Sequence, residues 1–141
     1  MTLNTINLMD AFIIETVRSN GVSNEEIIQK TLNKDVDSWR EFSKDFKFER
    51  LIELAEDEEA FKSIIEDGYK VSFVTRNGLK NLMRLKFQIT ENDYEQVENG
   101  YLNLEISEDQ LAGIKQFISG NWNIHEIERN ESKVKVNITV G

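Results

Sequence analysis

Residues 61–78 read FKSIIEDGYKVSFVTRNG, and the spacing of their apolar residues changes at Gly68. Before this glycine, apolar side chains recur every three or four residues, which is the period of a helix. After it they alternate with polar ones, which is the period of a strand. The sequence therefore predicts a helical subdomain over residues 1–68 and an α+β sheet subdomain over residues 69–141. Because proline is absent and the seven glycines are dispersed, we expect one compact unit without a flexible linker.

On the N-terminal side of Gly68 the pattern predicts three to four helices. The first is expected at about residues 5–19. The second follows Ser23, a residue type that caps helices because its side-chain oxygen accepts a hydrogen bond from a backbone amide. A third is predicted to begin at Ser38, and residues 49–67 are expected to form either one long helix or two.

On the C-terminal side the pattern predicts a small, mainly antiparallel sheet with at least one packed helix, so the fold class is α+β. An Asn-Gly pair at residues 77–78 is typical of a two-residue turn and predicts a hairpin within residues 69–90. The residues after the pair fit either a helix or a strand, and alternation over residues 83–89 favours the strand. A capping pattern at Ser107 predicts a helix, and alternation over residues 122–140 predicts a final hairpin.

The chain carries 26 acidic and 17 basic side chains, and its formal net charge of −9 is unevenly distributed. Residues 1–68 hold 16 acids against 8 bases, whereas residues 69–90 hold five bases and no acid. These blocks either pair with one another or form a polarised surface that meets a charged partner. The densest group of acids lies within seven residues and consists of Glu53, Glu56, Asp57, Glu58 and Glu59.

The residue types of the chain argue against several kinds of chemistry. It has no cysteine and a single histidine, His125, so neither a zinc site nor a cysteine nucleophile is expected. It has no glycine-rich phosphate loop, and the spacing of its carboxylates does not identify a catalytic pair. We therefore expect a non-enzymatic protein without a cofactor or a metal. Without a long apolar run or a signal peptide, the sequence predicts a cytoplasmic protein with no membrane partner.

The negative charge favours a function as a small acidic protein-binding module. Carboxylates spaced along a helix can bind Arg and Lys on a partner, and net negative charge speeds the encounter with a basic surface. Such a module would act as an inhibitor or regulator of its partner protein. The residues expected to bind the partner are those of the densest acidic group, Glu53 to Glu59, and the acidic block from Glu91 to Asp109 is a second candidate surface. A hard-cation site in this group is the other interpretation that its carboxylates allow.

A second hypothesis starts from the order of the predicted elements. A helix ending at Asn20-Gly21, a short capped helix, a third helix and a basic hairpin together resemble winged helix–turn–helix proteins. The resemblance implies a DNA-binding transcriptional regulator that uses the 38–47 helix for recognition and the 69–90 basic hairpin as its wing. The nucleic-acid contacts that it implies are Arg40, Lys44, Lys47, Lys70, Arg76, Lys80 and Arg84. The acidic net charge opposes this function, because binding to phosphates depends on concentrated positive charge.

Overall fold

The computed structural model describes residues 3–140 and has mixed α and β structure, with helices in the N-terminal half as the sequence predicts. By internal contacts the chain divides into two compact units, Met1–Val71 and Ser72–Gly141, which we call the first and the second unit. Within residues 3–140, no helix is long and apolar enough to cross a membrane.

The first unit combines helices with one short pair of parallel strands, in which Asn4 lies opposite Tyr69. The sequence does not reveal its first strand, because three residues are too few to show a period. In chain order the elements are β1 (Asn4–Ile6), α1 (Leu8–Ser19), α2 (Asn24–Leu32), a 3₁₀ helix (Asp37–Phe42), α3 (Arg50–Leu54), α4 (Glu58–Asp67) and β2 (Tyr69–Val71).

Side-chain caps fix where these helices begin. Asn7 accepts a hydrogen bond from a first-turn amide at 2.8 Å, so α1 begins after it and not near residue 5. Ser23 accepts a hydrogen bond from an amide at 3.2 Å, which confirms the predicted start of α2. Asp57 caps α4 in the same way at 3.2 Å. Residues 49–67 therefore form two helices rather than one.

The prediction of a helix over residues 38–47 is wrong. A 3₁₀ helix covers Asp37–Phe42, and the residues after it are not helical until α3. The residue before this 3₁₀ helix is Val36, which has no capping side chain, and the Ser38 hydroxyl accepts a hydrogen bond from Lys30 Nζ at 3.3 Å. Phe48 is fully buried, and the nearby Phe46 ring packs edge-on against it with centroids 6.3 Å apart. Aromatic residues two positions apart do not share one face of a helix, so packing of both rings overrides the helical spacing.

The interior of the first unit contains ionised groups among its apolar side chains. Glu15, only 2% exposed, pairs with Arg18 at 2.9 Å and accepts a hydrogen bond from the Tyr69 hydroxyl. Asp10, 8% exposed, pairs with Arg50 at 2.8 Å. Burial, and then the neighbouring Glu15 charge, raise the pKa of Tyr69 well above its ordinary value. The largest fully buried apolar residues around these groups are Ile13, Ile14, Ile27, Trp39, Phe48, Leu51, Phe61 and Ile65.

The second unit is built on a four-stranded antiparallel sheet. Its elements are α5 (Arg76–Phe87), a 3₁₀ turn (Glu91–Asp93), β3 (Glu95–Val97), β4 (Gly100–Ile106), α6 (Glu108–Phe117), β5 (Trp122–Arg129) and β6 (Val134–Val140). The strand order in the sheet is β3-β4-β6-β5. The last strand, β6, buries every second residue from Val134 to Ile138, which confirms the predicted alternation. Ser107 and Gln110 form the reciprocal capping box that the sequence predicts.

The prediction of a hairpin over residues 69–90 is wrong. Only Tyr69–Val71 is a strand, and Arg76–Phe87 is a helix. Thr75 accepts a hydrogen bond from a first-turn amide at 3.0 Å, so the Asn-Gly pair lies inside the helix rather than at a hairpin turn. The strand predicted over residues 83–89 also falls mostly in this helix. The buried apolar residues of this helix recur at helical spacing, and they are Leu79, Leu82 and Met83.

Neutral contacts hold the interior of the second unit together. Trp122 Nε1 donates to the Val74 carbonyl at 2.7 Å, and Ser119 Oγ accepts from the Val74 amide at 2.9 Å. The Tyr101 hydroxyl donates to the Arg76 carbonyl at 2.7 Å. The Tyr101 ring stacks with the Trp122 ring, with centroids 6.4 Å apart. Burial raises the pKa of Tyr101 to about 12, against the opposing Arg76 charge.

Candidate functional site

The five acids predicted to bind a partner lie together on the surface of the first unit. Glu53 belongs to α3, Glu56 follows it, and Asp57 caps α4, whose first turn carries Glu58 and Glu59. All five side chains are exposed. Carboxylates near a helix N-terminus are stabilised by the helix dipole, so α4 tolerates this crowding of like charges at its start.

The acidic surface continues along α4, because Glu66 and Asp67 at its other end are also exposed. We call residues 53–67 the acidic segment. It carries seven exposed carboxylates against a single cation, Lys62, which pairs with Glu58 at 3.2 Å. An exposed pair of this kind is weak, so most of the negative charge is available to a partner.

A groove lined by residues of α2 and α4 adjoins the acidic segment, and sequence reasoning missed it. Its volume is about 600 Å³. Ile28, which is 7% exposed, and the partly exposed Leu32 give it an apolar part. Glu25 and Glu66 add carboxylates, and Lys62 adds a cation. Such a lining suits an apolar side chain that has a basic neighbour. The only signal in the sequence is the helical spacing of Ile28 and Leu32, which a core-facing helix shows equally well.

A smaller cavity of about 180 Å³ lies beside Glu56, between α2 and α3. Thr31 lines it and is 1% exposed, and the Thr31 hydroxyl has no hydrogen-bond partner. Lys34, also in the lining, has a left-handed backbone with φ 58°. A buried hydroxyl without a partner lowers stability, because it loses its hydrogen bonds to water and gains none.

Positive charge is also concentrated in the first unit, in a cleft of about 830 Å³ formed by residues 40–53. Arg40 pairs with Glu49 and with Asp37, the latter at 3.2 Å. A backbone hydrogen bond and then the Arg40 side chain lower the pKa of Glu49 below its ordinary value. We call this feature the cation cleft. The residues that line it are Arg40, Ser43, Lys44, Phe46, Lys47, Glu49, Arg50 and Glu53.

The cation cleft brings together three of the seven predicted nucleic-acid contacts, Arg40, Lys44 and Lys47. Lys70 lies apart from them on β2, and the other three lie on α5 in the second unit.

The three predicted contacts on α5 are engaged by neighbours within the second unit. Arg76 donates to the Val97 carbonyl at 2.8 Å and 3.1 Å and lies over the Tyr101 ring. Lys80 pairs with Glu91, and this pairing lowers the pKa of the Glu91 carboxyl. Arg84 contacts the Asn81 side chain at 3.5 Å. The basic stretch of the sequence is therefore not an open row of cations.

Groups that could bind a metal ion are not assembled in the part of the chain that the structure describes. Within residues 3–140, no three His, Cys, Asp or Glu side chains are placed to hold a metal ion. His125 lies exposed on β5, the strand at one edge of the sheet. Comparison of the chain with protein-family models, with curated proteins and with solved structures found no match. The argument for function therefore rests on the two charged surfaces of the first unit.

Proposed function

We propose that this chain is a non-enzymatic protein-binding module that engages a basic surface of a partner protein and so inhibits or regulates it. The observation that carries the proposal is the acidic segment, with its seven exposed carboxylates and one cation over residues 53–67. A cytoplasmic location is part of the proposal.

The charge of the acidic segment supports fast encounter with such a partner. Like charges held close on one surface create a field that attracts a basic protein and repels acidic ones. Because the whole chain carries a net charge of −9, its long-range field adds to the local one. This field is screened by salt, so binding should weaken as ionic strength rises.

The groove beside α4 supports affinity as well as attraction. Exposed ion pairs each contribute little, so a stable complex also needs apolar burial. The partly exposed Leu32 offers an apolar surface, and two carboxylates, Glu25 and Glu66, lie in the same lining with one cation, Lys62. The partner segment that fits this lining is basic and carries one large apolar side chain.

The winged-helix alternative loses both elements on which it rested. Residues 38–47 are not a recognition helix, and residues 69–90 are not a wing hairpin. Three of its seven contact residues are engaged within the second unit. The remaining cations do not form an extended track, so we retain the protein-binding module as the proposed function.

An array of immobilised peptides tests this proposal. Each peptide carries several Lys or Arg residues beside one Leu or Phe, and its counterpart carries Glu in place of every basic residue. We expect the protein to be retained by basic members of the array and to be released by added salt. Equal retention on the acidic counterparts, or retention on neither set, would contradict the proposal.

A further inference from the structure

The cation cleft is a second charged feature that the proposed function does not use. Residues 1–68 contain 8 basic side chains, and four of them line this one cleft: Arg40, Lys44, Lys47 and Arg50. In a region with twice as many acids as bases, half of the basic residues therefore gather at one place. Such a concentration of cations favours an anionic ligand.

The four cations of the cleft differ in how strongly they are already engaged. Arg40 pairs with Glu49 and Asp37, and Arg50 pairs with the buried Asp10 at 2.8 Å. Among the described residues, neither Lys44 nor Lys47 forms an ion pair with a carboxylate, and both are exposed. Glu49 also lines the cleft, and the Lys47 charge contributes to the lowering of its pKa, so Lys44 and then Lys47 are the cations of the cleft that are least engaged.

The packing of residues 43–49, which lie between the 3₁₀ helix and α3, holds the two lysines in place without a regular helix. Phe48 is fully buried, and Phe46 packs against it and against Phe12, with ring centroids 6.3 Å and 6.4 Å away respectively. Lys47 lies between these two aromatic anchors in the sequence, and Lys44 lies two residues before the first. The backbone that carries both lysines is therefore anchored before any ligand arrives, which lowers the entropic cost of binding.

From these observations the geometry points to a binding site for a small phosphate-bearing ligand in the cation cleft, centred on Lys44 and Lys47. Phosphate oxygens accept several charge-assisted hydrogen bonds at once, and ammonium and guanidinium groups are their usual donors. The cleft volume of about 830 Å³ admits a pyrophosphate or a nucleotide. Phe46, partly exposed in the lining, offers an apolar surface to the remainder of the ligand.

The carboxylates near the cleft favour a small ligand over a nucleic acid. Glu49 and Glu53 line the cleft among its cations, and Glu53 also begins the acidic segment. A long polyanion that left the cleft on this side would meet the carboxylates of residues 53–67 and be repelled. A pyrophosphate group, in contrast, can bind through contacts with only the two lysines and their immediate neighbours.

Titration calorimetry of the full chain with pyrophosphate, in low salt, tests the site. The double variant Lys44→Gln/Lys47→Gln removes both unpaired charges, and we expect it to bind about tenfold more weakly or worse. The control is Lys34→Gln/Lys70→Gln, which alters two exposed lysines outside the cleft and gives the same net charge. We expect this control to bind within about twofold of the parent, because two charges outside the cleft act only through screened, long-range fields.

Further titrations in the same experiment distinguish a nucleotide from a ligand recognised by its phosphates alone, and they supply controls for the role of charge. A nucleoside triphosphate that binds more tightly than pyrophosphate supports a nucleotide, and equal affinities support a ligand recognised by phosphate alone. The variant Lys44→Arg/Lys47→Arg, which keeps both charges, should retain binding. Equal weakening in both Gln double variants, no heat with pyrophosphate at millimolar concentration, or binding to duplex DNA alone would overturn the proposal.

Discussion

The two units of this chain differ in how far their charges balance. In the second unit, oppositely charged side chains pair across the surface: Lys80 with Glu91, and Arg129 with both Glu108 and Glu126. In the first unit, pairs such as Arg40 with Glu49 and Lys62 with Glu58 also form, but over residues 53–67 seven exposed carboxylates meet a single cation. Paired charges cancel at a distance, whereas separated charges create fields that a partner or ligand can sense. Both proposals for function therefore concern the first unit.

The interiors of the two units also differ in the charged side chains that they bury. Among the buried residues, the first unit contains two carboxylates, Asp10 and Glu15, each paired with an arginine. The second unit buries no charged residue in its described part, and Ser119 is the polar side chain that it buries. Because a buried ion that loses its partner is costly, the first unit should be the more sensitive to polar substitutions.

Removal of the buried Glu15 carboxylate should give the largest effect. The variant Glu15→Ala removes the carboxylate that pairs with Arg18 and accepts a hydrogen bond from the Tyr69 hydroxyl, and we expect it to lower the free energy of unfolding by about 3–5 kcal/mol. Denaturant unfolding measures the loss, and hydrogen exchange locates it. Amides of residues 3–71 should exchange faster while those of β4 and β6 keep their protection. A loss below about 1 kcal/mol would mean that the two interiors do not differ as described.

A steric substitution should weaken the second unit instead. A Cβ at Gly100 would lie 2.1 Å from the Ile138 carbonyl oxygen and 2.8 Å from the Thr139 Cα, both of which are backbone atoms. Since β4 and β6 would have to separate, we expect Gly100→Ala to cost about 3 kcal/mol. Gly120→Ala is the matched control, because nothing lies within 4 Å of its added Cβ. Equal stability of these two variants in denaturant unfolding would contradict the described pairing of β4 with β6.

A smaller change of opposite sign is expected at Thr31. Its buried hydroxyl has no partner, so Thr31→Val replaces it with a methyl group of similar size and removes an unsatisfied polar atom. We expect the free energy of unfolding to rise by about 1 kcal/mol. The same denaturant experiment measures it. A fall in stability would show that the hydroxyl is satisfied in solution, for instance by a water molecule in the adjoining cavity.

The sequence predicts the fold class because long, strongly periodic segments and caps carry their own signals. Ser23 and Ser107 cap helices as predicted, and the alternation of the last strand matches its buried face. Short elements such as β1 carry no such signal and form only through pairing with a distant strand. Local patterns also predict the wrong element where tertiary packing, rather than the spacing of apolar residues, determines the structure. Residues 69–90 and 38–47 are the two examples.

Much less of the candidate site can be predicted. The acidic segment is visible in the sequence because its residues are neighbours, and the structure leaves all of them exposed. The groove between α2 and α4 depends on which helices pack together, so no local pattern reveals it. The sequence predicts the cation cleft only in part, because it groups Arg40, Lys44 and Lys47 on a helix that does not form.

The central claim is that separated negative charge on the first unit, and not acidity of the chain as a whole, binds a basic partner. The most direct measurement is the dissociation constant of the tightest-binding basic peptide for two triple variants of equal net charge. One is Glu56→Gln/Glu59→Gln/Glu66→Gln in the acidic segment, and the other neutralises three exposed acids of the second unit, Glu98, Glu105 and Glu131.

At about 0.5 kcal/mol for each exposed pair, neutralisation in the acidic segment should weaken binding about tenfold. The control in the second unit should change the dissociation constant by less than about twofold, because its charges act only at long range. Equal weakening in the two triple variants would mean that only total charge matters. An unchanged dissociation constant in the acidic-segment variant would contradict the account outright.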